Sequence, residues 1–215
     1  NHIIGCLRMR EKKFDESIEY IKKAIKVKPN NLGFYASLGC AYSSIQNYPN
    51  AIDAFLSAIK LDPEASQVHF YLAEAYRQME DFKKSLNHFQ KCLDISKDHL
   101  GALLMSGIVQ EELKHFNQAK ELYLSCIDAY PDYVTAHVNL GMCYLLTGEY
   151  DKGWKEYEWR LKLDSKHYKH KFDKPQWNGE ALDGKRLLVV CEQGFGDSIQ
   201  FIRFTKILGD EGAKI

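Results

Sequence analysis

The residues with the most chemical potential in this 215-residue sequence are a glycine-bearing turn near its C-terminal end, eight histidines and six cysteines. The turn, Glu192-Gln193-Gly194-Phe195-Gly196-Asp197, follows the continuous apolar run Leu187-Leu188-Val189-Val190-Cys191. Such a run has the composition of a strand buried on both faces of a parallel sheet. Ser198 to Leu208 then shows helical apolar spacing at Ile199, Ile202, Phe204 and Ile207, and Ala213-Lys214-Ile215 reads as the start of a second strand. Strand, glycine turn and helix in that order is the layout of a dinucleotide site, but Ile199 stands where the third glycine of that fingerprint belongs. An acid at the helix start, Asp197, also repels a phosphate seated on the free amides there. From the residues alone, Asp197 is a helix N-cap that accepts hydrogen bonds from those amides.

The cysteines form no C-x-x-C pair and no cluster with histidine, so the expectation is no metal and no cofactor. Cys6 and Cys40 are 34 residues apart, as are Cys92 and Cys126. Each pair occupies one repeating slot, as reduced, small apolar residues of a reducing compartment would. No Ser-His-Asp or Cys-His grouping emerges from the histidine spacing. Lysine plus arginine (29) balances aspartate plus glutamate (29), which argues against a nucleic-acid partner. No apolar run approaches the roughly 20 residues of a membrane span, and the N-terminus lacks the layout of a signal peptide. The expected setting is cytoplasmic.

The elements that must position these residues follow from a period of 34. Gly5, Gly39, Ala73, Gly107 and Gly141 are in register, as are the aromatics Phe14, Tyr48, Phe82, Phe116 and Tyr150. The bulky series Ile21, Phe55, Phe89, Tyr123 and Tyr157 keeps the same step, and so do the small residues Ser17, Ala51, Ser85, Ala119 and Gly153. Ala24, Ala58, Cys92 and Cys126 form another small series, and Pro29, Pro63 and Pro131 recur near the end of each unit. Small residues allow two helices to approach closely. The aromatics staple the second helix onto the first after polar turns such as Gln46-Asn47 and Glu80-Asp81. Proline ends that helix because it lacks the N–H and clashes with the preceding turn. The unit is therefore helix, short turn, helix, stop.

The pattern resembles the tetratricopeptide repeat, best over residues 32 to 65, where Tyr35, Leu38, Gly39, Tyr42, Ala51, Phe55, Ala58 and Pro63 fit its signature. The resemblance implies a mostly α protein in which about five units over residues 1–167, the first incomplete and the last atypical, stack into a solenoid. It implies that first-helix side chains line a concave groove for a protein or peptide partner: Phe70, Glu74, Arg77, Gln78, Leu104, Ile108, Glu111, Glu112, Val138, Met142 and Leu145. His69 and His137 fall where the family often has tryptophan, and read as filler between helices. The lysine, asparagine and arginine of the family's carboxylate clamp are replaced here by Ala36, Ser37, Cys40 and Ser43.

In the fifth unit Gly153, Arg160 and Ser165 replace the expected alanine, small residue and proline. The aromatic, charged segment Gly153 to Arg160 has the composition of a docking surface. A lysine- and histidine-rich stretch from Lys166 to Lys174 falls mostly within a linker, 168–184, and an α/β portion starts at 185. Residues 153 to 215 resemble proteins in which tetratricopeptide repeats continue into a glycosyltransferase-like domain of the heptosyltransferase type. That resemblance implies the first β-α-β portion of a truncated, GT-B-like domain over 185–215 and a nucleotide-sugar partner for the full-length protein. By it, Asp197 is the candidate base that takes the acceptor hydroxyl's proton, and Glu192, Gln193, Gly194 and Gly196 form the acceptor-site loop. The expected function is a protein-interaction scaffold joined to that domain. A metal-independent glycosyltransferase whose repeats position the acceptor is the alternative.

Overall fold

The computed structural model describes residues 1–163, 174–175, 177–182, 184–190 and 194–215, in two units, Asn1–Arg160 and Leu161–Ile215. The first is built from five antiparallel helix pairs: α1 (His2–Arg10) with α2 (Phe14–Val27), α3 (Leu32–Ser44) with α4 (Tyr48–Leu61), α5 (Ser66–Gln78) with α6 (Phe82–Ile95), α7 (Leu100–Glu112) with α8 (Phe116–Ala129), and α9 (Val134–Leu146) with α10 (Tyr150–Tyr157). Each helix packs on the one before and the one after it in sequence. Successive first helices also touch across the repeat, α1 on α3, α3 on α5 and α5 on α7, with no comparable contact among the second helices. From α1 to α7 the first helices are therefore the more closely spaced set.

Each second helix begins on the recurring aromatic, at Phe14, Tyr48, Phe82, Phe116 and Tyr150. The turn before it is a Schellman motif repeated five times. Backbone amides of Lys13, Asn47, Asp81, His115 and Glu149 bond the carbonyls of Arg8, Tyr42, Tyr76, Gln110 and Tyr144 at 2.8–3.0 Å. The residue before each of those amides is left-handed: Lys12, Gln46, Glu80, Lys114 and Gly148, with φ between 59° and 82°. Glycine fills this slot only once, so packing of the pair holds long polar side chains in a conformation that disfavours them. Asn47 and Asp81 then cap α4 and α6 by accepting from the amides of Asn50 and Lys84.

The core lies between the paired helices. Ile21, Phe55, Phe89 and Tyr123 are buried, and each reaches toward the small residue sixteen positions earlier. A Cβ on Gly5 would sit 2.7 Å from Ile21, and one on Gly39 or Gly107 would enter the ring of Phe55 or Tyr123. At Gly141 the obstacle is backbone, the amide nitrogen of Tyr157 at 2.6 Å. The prolines are less decisive than their position implies. Helix α6 ends at Ile95, in register with Val27, Leu61 and Ala129, although Lys97 stands in the proline slot. Helix α10 departs from the period, ending at Tyr157 and continuing as a 3-10 turn over Glu158–Lys162.

The second unit carries two short helices, α11 (Phe195–Phe201) and α12 (Thr205–Asp210), joined by a 3-10 turn at Ile202–Phe204. No strand occurs among the described residues, where sequence reading expected two. One isolated parallel bridge joins Arg186 and Lys214, with Leu187 N–H donating to Lys214 O at 2.9 Å and Lys214 N–H to Lys185 O at 2.9 Å. The N-cap of α11 is Gly194, at φ 54°, and Asp197 is the third residue inside the helix. This corrects the reading of Asp197 as the cap: the chain turns earlier because glycine alone takes the left-handed entry without strain. Glu192, Gln193, Cys191 and most of the basic stretch lie outside the described residues. Among the described residues no helix is long and apolar enough to cross a membrane.

Two substitutions test this packing in opposite directions. Ser17 and Ser85 are fully buried and their hydroxyls have no hydrogen-bond partner, in the slot that Ala51 and Ala119 fill elsewhere. Ser85→Ala is expected to stabilise the protein by about 1 kcal/mol, since an unsatisfied buried hydroxyl is removed and helix propensity rises. Gly141→Ala is expected to cost about 1–3 kcal/mol, because α10 must move away to admit the methyl group. Urea unfolding of both variants beside the wild type checks the two signs.

Candidate functional site

The groove residues named from the sequence lie on the first helices α5, α7 and α9 and divide into three groups. Leu104 is only 6% exposed, inside a cluster with Tyr123, Ala136 and Leu140, and Ile108 packs against the same cluster. Phe70 is half-buried against Tyr71, Phe89 and His99, its ring seated over Gly101, where a Cβ would come within 2.9 Å. Leu145 is half-buried and packs onto Gly153 of α10. Leu104 is thereby corrected from groove wall to core, and Phe70, Ile108 and Leu145 owe most of their burial to helix packing.

A second group is ionic. Arg77 donates to Glu74 at 3.3 Å and reaches Glu112 of the next repeat at 3.6 Å, linking α5 to α7. These groups are partly exposed, so the links contribute little to stability and mainly hold the side chains in place. Gln78 is exposed beside them. Glu111 takes no part in these ion pairs, its Oε2 accepting from the Tyr123 hydroxyl at 3.0 Å. Tyr123 is held well above the usual phenol range by burial and then by the Glu111 charge. The Cys143 thiol on α9 is pushed up to about 12 by burial and then by the Glu111 charge. A carboxylate therefore sits between α7, α8 and α9 with neutral donors around it.

The third group is exposed and apolar. Met142 is 42% exposed and Leu146, one turn further along α9, is 63% exposed, with Val138 half-buried one turn before. Leu146 was absent from the sequence-derived groove. The signal that finds it is helical spacing from Met142.

His69 and His137 are buried at equivalent positions, as filler residues would be, yet both are fully engaged in hydrogen bonds. Their Nε2 atoms donate to the carbonyls of Pro63 at 2.9 Å and Pro131 at 2.8 Å. Nδ1 of His137 meets Glu156 at 2.6 Å, and its ring stacks flat on Trp159 with centroids 3.7 Å apart. Nδ1 of His69 lies 3.1 Å from Nδ1 of His88. Because His69 donates through Nε2, its Nδ1 accepts and His88 donates. No group of three or more histidine, cysteine or acidic side chains able to hold a metal occurs among the described residues. In the second unit, Gly194, Gly196 and Asp197 are brought together at the start of α11.

These elements define a class: helix pairs repeated along the chain, each packed on the next, make a helical-hairpin solenoid with polar and apolar residues on its first helices. Tetratricopeptide repeat models match residues 1–31, 32–64, 66–99 and 101–133, together more than half of the sequence, and the chain belongs to the tetratricopeptide repeat family. The fifth pair, α9 and α10, comes from the structure. Among solved structures, MamA superposes with a TM-score of 0.70 at 23% identity over 74% of this chain and 93% of that one. YrrB, described as a tetratricopeptide protein with an unusual peptide-binding site, gives 0.64 at 16% identity over 77% and 86%. PilF of Pseudomonas aeruginosa gives 0.70 at 12% identity over 76% and 75%. These likenesses concern the fold. No curated protein sequence matches the chain.

The histidine pair generates a pH prediction. Burial, then the neighbouring His69 and Lys91, pushes His88 down from 6.5 to about 4. The unfolded ring therefore binds a proton at a pH where the folded ring resists it, so the His88 contribution is present above pH 6.5 and lost as pH falls toward 4. His88→Gln keeps a donor for His69 and removes the titration. The fall in melting temperature between pH 7 and pH 4 is expected to be shallower in this variant, measured by circular dichroism.

Proposed function

We propose that the helical array is a protein-interaction scaffold that receives a peptide or protein segment on the first-helix face. The observation that carries this reading is the first-helix face itself: Met142 and Leu146 are exposed on α9, and Arg77 holds Glu74 and Glu112 across α5 and α7. Exposed apolar side chains next to fixed charges suit a ligand that buries area on the former and takes its register from the latter. The peptide-binding site named for YrrB lends support by fold alone. A cytoplasmic setting belongs to this reading as an expectation. Arg77→Ala combined with Glu111→Ala is expected to reduce capture of the partner by at least severalfold, whereas Lys91→Ala on the second helix α6 leaves it unchanged. Quantitative pull-down with all three proteins at matched concentration checks this, and equal capture by the double variant moves recognition off the groove.

A second reading concerns the C-terminal unit, as the opening of an α/β domain of glycosyltransferase-like type over 185–215, with Asp197 as candidate base and Gly194 and Gly196 in the acceptor-site loop. The parallel bridge between Arg186 and Lys214, with α11 and α12 between them, favours it, since a parallel pair joined through a helix is the β-α-β connection. Glu192 and Gln193 belong to the same loop by sequence. Nucleotide release from a panel of nucleotide-sugars, by the longest form of the protein that can be produced, is the test. Asp197→Asn is expected to lower transfer about a hundredfold with folding intact, because an amide does not accept the proton. Equal rates remove Asp197 from the chemistry.

A further inference from the structure

We infer that the ligand of the groove is a peptide carrying a lysine or arginine beside apolar side chains, its cation meeting Glu111 and its apolar residues covering Met142 and Leu146. This rests on the groove reading proposed above and specifies the partner's chemistry. Four ionisable groups dominate the first-helix face at α5 and α7: three carboxylates, Glu74, Glu111 and Glu112, and one guanidinium, Arg77. Arg77 is already engaged by Glu74 and Glu112. Glu111 has no lysine or arginine within ion-pair distance among the described residues; it accepts from the Tyr123 hydroxyl. Lys120, the cation whose charge reaches Cys143, is held by Glu149 at 2.7 Å.

A carboxylate bonded only by neutral donors keeps unused lone pairs and an uncompensated charge in a partly desolvated place. A ligand cation supplies what the fold does not. Tyr123, which Glu111 bonds, shares a core cluster with Leu140 and Cys143 of α9, the helix that carries exposed Met142 and Leu146. Two exposed apolar side chains one turn apart match a short peptide rather than a membrane face, and the surplus of negative charge repels the phosphates of nucleic acids and anionic lipids.

The experiment is selection of a random phage-displayed peptide library on the full chain, followed by affinity measurement with the synthetic consensus peptide. Expected peptides are enriched in lysine or arginine next to leucine, methionine or phenylalanine. The consensus is expected to bind about tenfold more weakly to Glu111→Gln, which keeps the acceptor for Tyr123 while removing the charge, and to weaken as salt rises. A peptide variant with the cation replaced by methionine, measured on the wild-type protein, gives the same comparison without altering the fold. Consensus peptides that lack a cation, or equal affinity for the methionine peptide, overturn the inference while the groove reading stands, provided Met142→Glu abolishes binding. Binders indifferent to Met142→Glu and Glu111→Gln, or no binders at all, overturn both.

Discussion

The structure depends on one recurring contact: a residue without bulk on the first helix of each of the first four pairs meets a large side chain sixteen positions later on the second. Gly39 against Phe55 and Gly107 against Tyr123 are the tightest cases, where a single methyl group would enter the ring. Close approach at this point brings the two helices together over their length, and burial of Phe55, Phe89 and Tyr123 follows from it. Each pair still has an apolar face left over, which the next pair covers, so stability is shared along the stack rather than concentrated in one core.

The turn between paired helices is subordinate to that contact. Lys12, Gln46, Glu80 and Lys114 adopt a left-handed backbone that glycine would take more readily. They do so because the six-residue closure from Arg8 to Lys13 and its equivalents is required for the second helix to return along the first. Long polar side chains at these positions remain in solvent, so no further cost is added there. The buried histidines show the same hierarchy. His69 and His137 fill gaps that repeat geometry leaves open, and each bonds the proline carbonyl six residues earlier, which the helix ladder leaves without a partner.

On the first-helix face the fold arranges charge and apolar area without closing them off. Arg77 ties two repeats together through Glu74 and Glu112, whereas Glu111 is turned toward Tyr123 and Cys143. This division leaves one carboxylate outside the ion pairs of that face, bonded to the Tyr123 hydroxyl. The C-terminal unit is separate in character. Its helices are short, and many of its large apolar side chains, among them Ile199, Phe201 and Ile207, remain exposed.

By itself the sequence determined the repeat, because a period of 34 with small and bulky residues at fixed slots admits few foldings other than paired helices. Even the first residue of each second helix was legible, since the aromatic that staples the pair recurs there. The left-handed turn position was not legible, as only Gly148 announces it. Nor was the fate of apolar side chains on one helix face. Leu104 and Met142 carry similar letters in neighbouring repeats, yet one is core and the other surface, because only the three-dimensional spacing of α7, α8 and α9 decides which is covered. Polar partners are likewise a tertiary matter. His137 with Glu156, and Glu111 with Tyr123, lie far apart along the chain on different helices. A hydrogen bond is set by distance and direction in space, which a list of residues does not contain.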